Sequence, residues 1–154
     1  MSFATIRTEL ATLLRSVTGI GQVHEYRRNT KTWEDFYLRH AKNMIVNNWE
    51  ISRVSREQET IAVQNLGGTA PYYHDTHNLL IIAHMSVKDE DQTEKTFQDL
   101  IDAVATKIRQ NYLLGGTVLL PREIQVPTIK HTMFGGVLVH YAELTYEAIE
   151  RVGG

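Results

Sequence analysis

Two histidines set three apart, in the run His74-Asp75-Thr76-His77, are the first side chains that could do chemistry. On a turn, imidazoles at that spacing could share a transition metal. The sequence marks no third ligand, so they read as solvent-facing loop histidines with no bound metal. His24, His84, His131 and His140 are scattered. His84 and His140 fall in strand-like patterns with no nucleophile marked beside them, and read as core or interface histidines rather than general bases. The acidic run Asp89-Glu90-Asp91 with Glu94 begins like a calcium loop. It fails at the sixth position, which is Glu94 rather than Gly, and at the twelfth, which is Leu100 rather than Glu. A solvated turn that places negative charge at a helix N-terminus explains it better. The Gly-Gly pairs at 67–68, 115–116 and 135–136 are not followed by Lys-Ser or Lys-Thr, so no phosphate loop is present. The serine-hydrolase elbow, the H-E-x-x-H helix and the dinucleotide fingerprint are also missing. Arg27, Arg28 and Lys31 gather near Tyr26 and Trp33, but in a chain of formal net charge −2 they read as an ion-pairing face rather than a nucleic-acid site. The residues therefore predict no catalysis and no cofactor.

The elements that would position these residues are clearer. Phe97, Leu100, Ile101, Val104, Ile108 and Tyr112 recur at the spacing of a helix with one buried face, within 91–116. Lys95, Gln98, Asp99, Asp102, Lys107 and Arg109 fall largely on its other side. Asp91 with Glu94 has the capping-box spacing, and Gly115 offers a stop. Just before it, Leu79 to Val87 is apolar on both faces, which predicts a central strand. A second amphipathic helix spans Ser2 to Val17, capped by Ser2, ended by Gly19 and striped by Ile6, Leu10, Leu13, Leu14 and Val17. Val23 suggests a short strand, and 32–38 a short helix. Met44 to Val54 alternates as an antiparallel strand, with Trp49, Ile51 and Arg53 on one side and a wetter opposite face. Pattern is lost from Arg56 to Asn78. A connection of about 20 residues in a small domain suggests a hairpin arm, or a loop that orders on a partner. Pro121 and Pro127 point to an edge strand or a bulge. Val137 to Tyr146 alternates as a closing strand, although Leu144, Ala148 and Ile149 also fit a helix. The fold class is α+β: a mainly antiparallel sheet with an N-terminal helix and a long central helix packed on it.

The chain's 154 residues suit one domain with a real core, over 1–154, carrying a long loop or arm at about 56–78. Absence of cysteine excludes disulfides and thiolate chemistry. Arg7 and Glu9 interrupt the N-terminal apolar pattern, so it does not read as a signal peptide. No apolar run reaches the 18 residues expected of a membrane span, which makes the cytoplasm the default site of synthesis.

Several phrases carry a resemblance: IRTELATLLRSVTGIGQVHEYRR, NNWEISR, LLIIAHMSVKDEDQTEKTFQDLIDAV and GGVLVHYAELTYE. Together with the order of elements, they resemble the tail terminator, or tail completion, proteins of tailed bacteriophages, which are also described as minor tail proteins. The resemblance covers nearly the whole chain and is weakest over Arg56 to Asn78. It implies a virion protein without catalysis, located at the head-proximal end of the tail. It implies a homo-oligomeric ring, a hexamer, that stops polymerisation of the tail tube protein and docks head-completion or neck proteins. DNA passage through the ring is implied, but no dedicated nucleic-acid binding and no membrane partner. The candidate interface residues are Asp99, Asp102, Lys107 and Arg109 on the helix and Gly67, Gly68, Tyr72 and Tyr73 on the arm. A different head–tail connector of the same particle, a small enzyme using a metal on His74 and His77, and a nucleic-acid binder using Arg27, Arg28 and Lys31 are the competing expectations.

Overall fold

The computed structural model describes residues 2–28, 41–42, 45–62, 71–119, 123–134 and 136–153. Helix α1 is Phe3–Arg15. Ser2 caps it, its hydroxyl accepting the amide N–H of Thr5, and this satisfies one of the open donors of the first turn. Gly19 then turns the chain with a positive φ of 85°. Strand β1 is Gln22–His24, β2 is Ala41–Lys42, β3 is Ile45–Ala62 and β4 is Tyr72–Ser86. A short 3-10 turn at Asp89–Asp91 leads into helix α2, Thr93–Gln110. A second 3-10 turn at Leu114–Gly116 precedes strand β5, Gln125–Phe134, and strand β6, Val137–Gly153. The expected helix at 32–38, with Lys31 and Trp33, lies outside the described residues, as do Gly67, Gly68 and Pro121.

The sheet runs in the order β1-β3-β4-β6-β5, with β2 paired to the near end of β3. Only β1 to β3 is parallel, and the other pairings are antiparallel. Gly21 makes the β1 entry possible, since a Cβ there would run into the backbone carbonyl of Asn47. Strand β4 is central, and its residues are buried on both faces from Ile81 to Met85. Helices α1 and α2 lie on one face. Ile6, Leu10 and Leu14 of α1 and Phe97, Leu100, Ile101, Val104 and Ile108 of α2 share one core with Trp49, Ile51, Leu79, Ile81, Ala83, Met85, Ala142, Leu144 and Tyr146. The architecture is α+β, with a mixed, mostly antiparallel sheet and the two helices packed on it.

Three expectations need correction. The Asp91–Glu94 capping box does not form: α2 begins at Thr93, after Gln92 in the left-handed region with φ of 54° and no side-chain cap. Thr93 does the joining instead, its hydroxyl receiving the N–H of Lys88 at 2.9 Å. Tyr112 follows the end of α2 and is exposed, because the helix stops at Gln110 and its stripe no longer faces the sheet. The strand pattern of Thr117 to Leu120, broken by Pro121, is not a strand over its described residues Thr117 to Leu119, although the Leu119 N–H donates to the Ile149 carbonyl of β6. The closing strand expected from Val137 to Tyr146 is present and runs on to Gly153 rather than turning helical, because β4 pairs β6 from Ser86↔Val139 to Tyr72↔Gly153.

The segment without pattern is largely strand. Ser55 to Ala62 pairs with Tyr72 to Asn78, and the latter also pairs with Glu147 to Gly153. These residues make a three-stranded arm that continues the sheet beyond the start of α1. Residues 55–61 are exposed on both faces, so no apolar alternation exists to be read there. The wetter face expected on β3 is also not uniformly wet: Asn48 and Glu50 are buried. Glu50 takes the backbone N–H of Arg28 at 2.6 Å and the side-chain amide of Asn48 at 3.1 Å.

Candidate functional site

Two regions have properties that the core does not require. The first is the outer edge of the sheet. Strand β5 pairs with β6 on one side and has no strand on its other side among the described residues. Pro127 sits where the ladder slips between Gln125 and Thr128, as a residue without a backbone donor should. Cross-strand pairing of Ile129 with Ala142, His131 with His140 and Met133 with Leu138 puts these side chains on the helix-side face. Ile129, Met133 and Leu138 are 51%, 62% and 49% exposed. An unpaired edge with an apolar strip is a template for another chain, and proteins usually blunt such edges. Asp99, Asp102 and Arg109 of α2 are exposed and Lys107 half-exposed, so the polar helix face is open as expected. Tyr72 and Tyr73 are half-buried at the far end of the arm, where the Arg151 guanidinium lies 4.1 Å from the Tyr72 ring centroid.

The second region is a buried polar cluster at the root of the arm. His74 and His77, read from the sequence as solvent-facing loop histidines, both lie in β4, where residues three apart point to opposite faces, and His77 is buried. His77 instead shares the helix-side face with Asp75, two residues along, and with Glu150 opposite Asp75 on β6. All three are buried, and one potential ligand atom from each lies within 4.8 Å of the others. His77 Nε2 is 3.0 Å from Glu150 Oε1. Arg56 donates to Asp75 Oδ2 from Nε at 3.1 Å and from Nη2 at 2.6 Å, and Gln58 donates to Oδ1 at 2.7 Å. Burial acts to raise the Asp75 pKa, but the Gln58 and Arg56 hydrogen bonds, with the positive charge of Arg56, outweigh it and leave the carboxyl below its ordinary value. Arg53 Nη1 lies 3.4 Å from His77 Nδ1, and its guanidinium covers the Phe3 ring at 4.3 Å. Phe3 in turn packs 5.1 Å from the His77 ring. The second oxygen of Glu150, Oε2, is buried and receives no hydrogen bond among the described residues.

Asp75 and Glu150 were missed by sequence reasoning. Once 72–86 is seen as a strand, Asp75-x-His77 is an alternating polar pair on one face. Glu150 has no local signal, since the long-range register alone brings it in.

The remaining histidines are placed by packing. His84 stacks on Phe134 at 3.8 Å, nearly parallel. His140 hydrogen-bonds Thr93 Oγ1 at 2.9 Å and stacks on Phe97. Both are buried, in keeping with core roles. Of the basic patch, Arg28 lies 5.2 Å from the Tyr26 ring. No helix among the described residues is long and apolar enough to cross a membrane. No family model matches this chain, and no curated protein matches it.

Proposed function

We propose that this chain is a structural subunit of a tailed-bacteriophage particle, a tail terminator that closes into a ring at the head-proximal end of the tail tube. The observation that carries the reading is where its family-like phrases fall. They fall on α1 and β1, the near half of β3, the second half of β4 with most of α2, and the first part of β6, which belong to the elements that build the sheet and its helical layer. The open β5 edge supports the reading further. A closed ring needs two different, complementary faces on each subunit and a rotation that returns to the start. The apolar β5 edge supplies one such face, and the charged face of α2 supplies another. In this reading the ring caps the tube protein on one side and docks head-completion proteins on the other, and catalysis plays no part.

The test is tube length. Cognate tail tube protein is assembled with and without the chain, and lengths are measured by electron microscopy. A terminator binds tube ends and narrows the length distribution. Failure to bind ends or to change the lengths would sink the reading, and a connector on the head side would replace it.

A further inference from the structure

We propose that Asp75, His77 and Glu150 form a binding site for one transition-metal dication of the zinc type. Three observations converge on it. The donor set is one imidazole and two carboxylates, the mixture that zinc accepts while leaving a position open. The three side chains are held on two strands paired continuously from Tyr72↔Gly153 to Ser86↔Val139, so their relative placement is rigid. Most tellingly, Glu150 Oε2 is a buried carboxyl oxygen with no hydrogen-bond partner among the described residues. A buried oxygen that accepts no hydrogen bond is costly, and a cation beside it removes the cost.

The spacing suits a metal after a small adjustment. Bonds of about 2.0–2.2 Å to zinc place donor atoms roughly 3.3 Å apart. Nε2 of His77 and Oε1 of Glu150 are already at 3.0 Å. The remaining separations lie within 4.8 Å and must shorten for a metal to be held. Each carboxylate oxygen has more than one lone pair, so Arg56 and Gln58 can stay on Asp75 and orient it from outside, as outer-shell donors do in metal sites. Imidazole favours zinc-like ions over magnesium or calcium.

Arg53 opposes the site. For His77 to offer its Nε2 lone pair, the ring proton must sit on Nδ1, where Arg53 brings a donor at 3.4 Å. Arg53 is exposed and can swing away, but its charge and its donor both work against the metal. Replacing it with glutamine offers Nδ1–H an acceptor and removes the charge.

The experiment titrates the full chain, purified free of metal, with Zn²⁺ by calorimetry and with Co²⁺ by visible absorption. One equivalent should bind, with the ligand-field bands of a low-coordinate cobalt site. Glu150→Gln and His77→Gln should each weaken binding by roughly tenfold or more, and Arg53→Gln should tighten it several-fold. If either ligand variant fails to fold, ¹⁵N spectra of the wild-type histidine rings report directly, and Zn²⁺ should move the His77 signals. Absence of saturable binding, binding undiminished in the folded ligand variants, no tightening in Arg53→Gln, or Zn²⁺ shifts confined to other histidines would each overturn the site. None of these outcomes depends on ring formation.

Discussion

His140 is the residue whose surroundings bear most directly on solution behaviour. Burial first, and the neighbouring His131 second, push it below the ordinary histidine value, against a weaker upward pull from Glu94. Its ring lies 4.8 Å from that of His131, it contacts Thr93 at the start of α2, and the positive end of that helix also disfavours a charged imidazole. The unfolded chain therefore takes up a proton near pH 6.5 while the folded His140 stays neutral. Its contribution to stability is complete above that pH and is lost as pH falls towards the lower folded value. Denaturant midpoints measured from pH 7.5 down to about 5 should decline, and His140→Gln should flatten the decline because glutamine can still bond Thr93. An equal slope in the variant would assign the pH dependence to other groups. At this scale the sequence was a poor guide to the candidate site. It marked His74 and His77, which the pleat separates, and left out Asp75 and Glu150, which the register brings to His77.

At the scale of elements the sequence read well wherever one face is buried. The stripe of α2 was legible because Phe97, Leu100, Ile101, Val104 and Ile108 all meet the sheet, and all are buried. Replacing Ile108 with Ala should cost about 2–5 kcal/mol, because the residue is fully enclosed and its neighbours cannot collapse freely. Urea titration measures this directly, and a cost near zero would mean that the helix does not pack there. The helix start was misread because the capping box is a local pattern. A tertiary bond from Thr93 to His140 fixes the junction instead. Proline was informative at β5, since a residue with no N–H fits an edge and a slipped ladder, and both occur at Pro127.

For the whole molecule, the open edge determines what is expected of assembly. A positive charge placed in the apolar strip should block docking while leaving the fold intact. In the proposed ring, Met133→Lys should reduce assembly measured by sedimentation, with subunit stability changed by no more than about 0.5 kcal/mol. Asp99→Lys on the helix face should act in the same direction through charge, and more strongly at low salt. An oligomer unaffected by Met133→Lys would remove the β5 edge from the interface.

The chain by itself determined the fold class, the two helices, the central place of Leu79 to Val87 and the core that joins them. These follow from periodicity, which is local and repeats every few residues. Tertiary structure decided between the hairpin arm and the loop that the sequence left open over 56–78, because residues 55–61 are exposed on both faces and leave no periodic trace. It alone decided the buried cluster, because the antiparallel register of β4 and β6 sets Glu150 opposite Asp75 across 75 positions of sequence. No spacing rule reaches that far. Pairing of backbone groups does, and it turned three separated polar residues into neighbours.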